Sequence, residues 1–295
     1  MKSTTVTFLL AVATGTCLGQ QPKELLVPSV FSDHMVLQRD QPVRFWGWDK
    51  PGQEVSVLVV LDQNGVEGNI RGVKAGDDGR WEVTLPEHPA GGPYNVEIRG
   101  SSSKQYKDVL FGEVWVCSGQ SNMAWPVSNA NHSELEIAGA NFSNIRLISV
   151  PQVGLQAPQK NFKGEWTRCS PETVKNFSAV GYFFGRQLHS TLNVPIGLID
   201  NAWGGSACEA WINRDLLTKD GRFEKPMGRW EQMEANVDSA QAAYEKRLAD
   251  WKTKAQAARK AGNPQPPGRP RRSPKQNMTG NQRPANIYNL SLIHI

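Results

Sequence analysis

The chain has 295 residues, of which 39% are hydrophobic and 21% charged, a globular balance with length for one large or two ordinary domains. Much of the net charge of +5 comes from arginines and lysines between Arg269 and Arg283, a proline-rich stretch without interleaved aromatics that reads as a solvated linker and excludes nucleic acid as a partner. Beyond the first twenty residues no run approaches the ~20 apolar residues of a spanning helix, so no membrane span is expected.

In chain order, residues 1–19 open with Met-Lys, continue through an apolar run at 5–14 and end in small residues, the layout of a signal peptide. Export to the periplasm or the exterior is expected. Three cysteines remain after it, Cys117, Cys169 and Cys208; they permit one disulfide, match no metal-ligand spacing, and read mainly as small apolar core residues. Residues 20–107 carry short alternating runs at 43–48, 55–60 and 80–85, separated by Pro51-Gly52, Asn64-Gly65, Asp78-Gly79 and Gly91-Gly92-Pro93. Period two with such turns predicts an antiparallel β-sandwich. From Asp108 to residue 230 the pattern changes to buried strands at 113–117, 145–150 and 196–200 around a helix at 178–192, the alternation of an α/β domain with a parallel sheet. Residues 231–285 predict a helix with a thin apolar face over 231–261, then a proline-rich connector. Residues 286–295 close the chain.

The chemistry-bearing residues sit at two strand ends. Residues 112–123 read Gly-Glu-Val-Trp-Val-Cys-Ser-Gly-Gln-Ser-Asn-Met, an apolar strand running into a turn that presents Ser121 at the rim of a sheet, where clefts form. Met123 replaces the second glycine of a Gly-x-Ser-x-Gly elbow, so that reading of the serine is not supported. Residues 195–206 form the second strand end, closing on Trp203-Gly204-Gly205-Ser206 before Cys208-Glu209-Ala210-Trp211 opens a helix. If the two ends face each other, backbone N–H groups at Gly204 or Gly205 suit an oxyanion, and Gln120 and Asn122 add donors or orient a ligand. The plainer alternatives are that Ser121 caps a helix and that Gly204-Gly205 only turns the chain. A serine nucleophile also needs a base. None of His34, His88, His132, His189 and His294 follows an aspartate by three residues.

Several segments together resemble the sialate O-acetylesterases, a branch of the SGNH-hydrolase superfamily. They are Phe31-Ser-Asp-His-Met-Val-Leu-Gln-Arg, Trp46-Gly-Trp with Pro51-Gly52, the stretch from Leu110 to Met123, Pro195-Ile-Gly-Leu-Ile, Trp203-Gly-Gly-Ser with Glu209-Ala-Trp, and Arg283-Pro-Ala-Asn-Ile-Tyr-Asn. The resemblance implies an α/β serine esterase of the SGNH type behind the β-sandwich, acting on O-acetylated sugars without a metal or organic cofactor. It makes Ser121 the nucleophile, places Gly204 and Gly205 beside it, and puts Trp203 and Glu209 on the substrate side. It also implies an Asp-x-x-His base beyond residue 289, where this chain reads Leu-Ser-Leu-Ile-His-Ile. A C-terminally truncated chain lacking that base is therefore expected. An acetylxylan or other polysaccharide deacetylase is the alternative enzyme. A non-catalytic carbohydrate-binding protein using Trp46, Trp48 and Trp81 is the alternative from another class.

Overall fold

A computed structural model describes residues 23–60, 71–264 and 266–291. The segment 1–19, the Asn64-Gly65 turn and His294 lie outside the described residues. Ten strands are present among them: β1 (Val36–Gln38), β2 (Val43–Trp48), β3 (Glu54–Val60), β4 (Arg71–Lys74), β5 (Arg80–Leu85), β6 (Gly91–Arg99), β7 (Ser103–Gly119), β8 (Phe142–Ser149), β9 (Thr167–Cys169) and β10 (Ile196–Ala202). The helices are α1 (Ser133–Ala138), α2 (Pro171–Val174), α3 (Ala179–Leu192), α4 (Arg214–Lys219), α5 (Glu224–Ala235), α6 (Val237–Lys260) and α7 (Pro274–Met278).

One mixed sheet of eight strands runs β4-β3-β6-β7-β10-β8-β9, with β1 also paired to β7. Its strand directions divide along β7. The first part of β7 pairs antiparallel with β6, while residues 113–119 pair parallel with β10, which in turn pairs parallel with β8. β1 pairs parallel with β7 at residues 110–112. The antiparallel part lies under the ribbon β2-β5, and Phe45, Trp81 and Val83 of that ribbon share one buried cluster with Val57, Ile98 and Val109. β7 itself crosses residue 108, so the antiparallel and parallel parts have one strand in common.

The parallel part is covered on both faces. On β10, Ile196 and Leu198 join the α3 side with Tyr182 and Cys117, whereas Ile199 joins the other cluster with Trp166 and Leu290. The run is apolar because a parallel strand buried on both faces has no solvent side. α3 begins where Ser178 accepts a hydrogen bond from Gly181 N–H and ends at Asn193 in the left-handed conformation, a capped helix as its sequence predicts. The helix expected over 231–261 is two helices that meet at Asn236 and begin earlier, at Glu224. Pro226 and Gly228 hide that start in the sequence, yet proline within the first turn removes no helical hydrogen bond. The expected helix at Cys208–Trp211 is a single 3-10 turn.

The two parts are tied together by a charge cluster centred on Asp108. Arg146, whose side chain is 3% exposed, donates to both carboxylate oxygens of Asp108 at 2.8 and 3.1 Å. Arg168 donates twice, at 3.0 and 2.8 Å, and His34 Nδ1 lies 2.6 Å away. Arg146 also donates to the backbone carbonyls of His34, Asp108 and Ser143. Burial pushes the Asp108 carboxyl upward, but hydrogen bonds from Arg146, Arg168 and His34 outweigh it and hold the group at about 2 against the ordinary 3.8. A carboxylate depressed in the folded chain stabilises the fold above its unfolded pKa and ceases to as pH falls through the folded value. Stability should therefore decline between about pH 4 and pH 2 through this group. Asp108→Asn, which strands the buried Arg146 charge, is expected to cost about 3–5 kcal/mol in urea unfolding at pH 7 and to flatten that acid limb; an unchanged midpoint would refute the role of the cluster.

Candidate active site

β7 ends at Gly119, and Ser121 opens the turn that follows, closed by Ala124 N–H donating to the Gln120 carbonyl at 2.9 Å. β10 ends beside it: Trp203 N–H donates to the Gly119 carbonyl at 3.0 Å, extending the β7–β10 ladder one step past the strands. The two turns meet there. A methyl group placed on Gly204 would lie 3.5 Å from Ser121 Cα and 3.6 Å from its Cβ, which is van der Waals contact. Ser121, Asn122, Gly204 and Gly205 are exposed and Trp203 and Glu209 half-buried, so the contact lies at the molecular surface. The parallel register of Ile196–Ala202 against residues 113–119 makes this juxtaposition.

The Gly-Gly turn is held by side-chain amides. Asn281 Nδ2 donates to the Gly204 carbonyl at 2.7 Å, Gln282 Nε2 to the Gly205 carbonyl at 2.7 Å, and Gln120 Nε2 to the Ser206 carbonyl at 2.8 Å. Three consecutive carbonyls are thus each engaged by a carboxamide. In a trans peptide the C=O and the following N–H point in opposite directions, so fixing the Gly204 carbonyl toward Asn281 turns the Gly205 N–H away from it. Among the described residues neither the Gly205 nor the Ser121 N–H has an acceptor. Gly205 adopts φ +72°, a conformation that a Cβ opposes. Ser206 is buried and its hydroxyl accepts from Trp211 Nε1 at 3.0 Å, which docks the 3-10 turn carrying Glu209.

The structure therefore brings together Ser121 and Gly204, with Gly205 next along the same turn and Gln120 bridging the two turns rather than standing free as a donor. Asn122 is exposed next to Ser121, and its side chain has no hydrogen bond among the described residues. Sequence reasoning missed Asn281 and Gln282, lone polar residues each 77 positions from the carbonyl it holds. Of the four described histidines, three have side-chain partners elsewhere, and the exposed His132 has no side-chain hydrogen bond among the described residues. His34 pairs with Asp108, His88 lies against the Pro89 carbonyl and stacks on Phe111, His189 meets the Val194 carbonyl, and His132 precedes α1 in the left-handed conformation. Among the described residues no three His, Cys, Asp or Glu side chains gather as a metal-ligand group. Cys117 and Cys169 are buried free thiols, each pushed up to about 12 by burial, and Cys208 is exposed.

Just upstream of the Gly-Gly turn, Asp200 leaves Oδ1 buried without a partner. Burial raises its carboxyl from 3.8 to about 6, partly offset by the backbone N–H groups of Ala202 and Ser178. A carboxyl raised in the folded chain favours the fold while protonated, so its contribution is full below about pH 4 and lost as pH rises through about 6. Asp200→Asn should abolish that loss, leaving the variant the more stable protein at pH 7 and indistinguishable from the parent at pH 4 in thermal melts. Equal melting temperatures at both pH values would show the carboxyl to be unstrained.

No family profile matches the chain. Human sialate O-acetylesterase is 34% identical over 208 residues, covering 65% of this chain and 40% of that protein. The mouse sialate O-acetylesterase is 31% identical over 220 residues, covering 67% and 40%. Among solved structures, a carbohydrate acetylesterase from Xanthomonas citri is similar with a TM-score of 0.60 and 39% identity, over 66% of this chain and 44% of that one. The resemblance carried by the ordered motifs is borne out: over about two thirds of its own length the chain is similar to the sialate O-acetylesterases, and it spans about 40% of the length of those curated relatives.

Proposed function

We propose that the chain supplies the nucleophile and oxyanion side of a serine carbohydrate esterase that removes O-acetyl groups from sialic acid. The observation that carries this reading is the contact between Ser121 and Gly204, with acceptor-free N–H groups at Ser121 and Gly205 beside it. Ser121 Oγ attacks the acetyl carbonyl as a base takes its proton, and the N–H groups stabilise the tetrahedral oxyanion. Collapse expels the sugar oxygen, which receives the proton, and water then hydrolyses the acetyl-enzyme to acetate, regenerating Ser121. A base is needed because a hydroxyl is a poor nucleophile at neutral pH. We assign it to a histidine in the part of the relatives' length that this chain does not span, since His34, His88 and His189 are bonded elsewhere and among the described residues no contact joins His132 to Ser121. The antiparallel part serves as the sandwich domain of this esterase, and residues 1–19 direct its export.

A polysaccharide O-acetyl group is the second substrate reading, favoured by the exposure of Ser121 and both glycines, which leaves room for a chain extending past the ester. A purely sugar-binding protein is disfavoured by the tryptophans it would use. Trp81 is 2% exposed, Trp46 packs against the core, and Lys160 covers the Trp48 ring at 5.2 Å.

In a form of the protein extended to the relatives' length, a fluorophosphonate should label Ser121. Ser121→Ala should abolish labelling and lower kcat/KM for an O-acetylated sialic acid by about 10³-fold or more; activity retained in that variant would sink the assignment. Asn281→Ala frees the Gly204 carbonyl and should lower kcat about tenfold with KM little changed, the pattern of a lost transition-state interaction. A rise in KM alone would place Asn281 in ground-state binding instead.

A further inference from the structure

The charge of this chain is not spread evenly. Residues 237–275 hold ten lysines and arginines against three acidic residues, an excess of seven in a chain whose net charge is +5, so the remainder is net negative. This stretch comprises α6, which has no buried residue, and the proline-rich segment that folds back along it. Trp251 Nε1 donates to the Pro266 carbonyl at 3.0 Å, the Arg269 guanidinium lies over the Trp251 ring at 5.6 Å, and Lys275 pairs with Asp238 at 3.2 Å. The connector read as solvated linker is thus a strap docked on the helix.

Between helix and strap lies a cleft of about 550 Å³, within the range of small-ligand sites. Tyr244, Arg247, Trp251 and Lys254 line it from α6, spaced three and four apart and so on one face of the helix. Arg272 and prolines of the strap form the opposite wall. None of Arg247, Lys254 and Arg272 has an ion-pair partner among the described residues. Three exposed cations without ion-pair partners lining one cleft give it a positive potential. Asp250 also lines the cleft and offers an acceptor.

We propose that this cleft binds a carboxylate-bearing glycan chain. The cations take the carboxylates, Asp250 accepts from sugar hydroxyls, and the Tyr244 ring offers a stacking face. Proline fixes its own φ, so a wall of prolines has little backbone entropy to lose on binding. The cleft shares no lining residue with the Ser121–Gly204 contact. Its charge stands independently of the esterase reading; the choice of a sugar as the anion rests on it.

The test titrates the full chain with an oligogalacturonate, a neutral cello-oligosaccharide and a single-stranded oligonucleotide, by calorimetry at low and at moderate salt. The oligogalacturonate should bind, more weakly as salt rises, and the other two should not. The exposed-site double variant Arg247→Glu/Arg272→Glu should weaken binding by about tenfold or more, while Lys219→Glu, outside the cleft, leaves it unchanged. Tyr244→Ala separates stacking from charge and should also weaken binding, with circular dichroism reporting that α6 is intact. Equal binding of the neutral sugar, undiminished binding in the double variant, or an oligonucleotide bound as tightly would each overturn the proposal, the last in favour of nucleic acid. Ser121→Ala should bind as the parent does, so failure of the esterase reading and failure of this one give different results.

Discussion

The passage of β7 from one kind of pairing to another at Gly112 is the constraint on which the remaining structure depends. Upstream the strand is a partner of β6 and β1; downstream it must accept β10 in parallel register. Glu113 N–H donates to the Pro195 carbonyl at 2.9 Å, and a Cβ on residue 112 would collide with that same carbonyl. Only glycine lets β10 approach closely enough to begin its ladder there. Every later feature of the candidate site inherits its register from that start, because seven successive pairs run from Ile196 with Glu113 to Ala202 with Gly119.

Pairing alone would not hold the two halves in one orientation. Asp108 lies four residues before Gly112, and its three side-chain partners, His34, Arg146 and Arg168, come from the turn before β1, from β8 and from β9. A buried arginine of this kind is weak evidence for stability in itself, since its desolvation offsets much of the attraction. Its value here is geometric, because the donors of Arg146 are spent on Asp108 and on carbonyls at His34, Asp108 and Ser143, which fixes β8 against the β1 turn. The motif Phe31-Ser-Asp-His-Met therefore belongs to this cluster and not to the Ser121 contact. The motifs behind the resemblance divide in two: those around Ser121 and Gly204 meet at the candidate site, and those around His34 and Asn286 carry architecture.

Strands β2, β3, β5 and β10 and helix α3 were legible because each satisfies one dominant rule: strict alternation, continuous burial, or apolar spacing between good caps. β7 was legible only from residue 113 onward. Its first residues, Ser103-Lys-Gln-Tyr-Lys-Asp, have no apolar alternation and are strand only because β6 supplies the hydrogen bonds, a tertiary effect that outweighs local preference. The nearness of Ser121 to Gly204 was readable as two strand ends in one α/β sheet, but not the amides that hold the turn. The sequence assigned Gln120 to ligand contact because it neighbours Ser121; the fold spends its amide on Ser206 instead.

That spending has a consequence for how the site is built. A turn rich in glycine is the cheapest place to expose backbone N–H groups and also the least rigid, whereas stabilising a developing oxyanion demands donors fixed before the reaction begins. In the proposed site the conflict is met from outside the turn. Gln120 reaches from the serine loop, while Asn281 and Gln282 reach from a loop whose own position is set by Asn286 and by Arg283 on Glu234 of α5. Rigidity at Gly204 and Gly205 therefore depends on residues 281–286, and through Glu234 it is linked to the end of α5, where α6 begins. The small residues provide access to Ser121, and the carboxamides provide the order that glycine cannot.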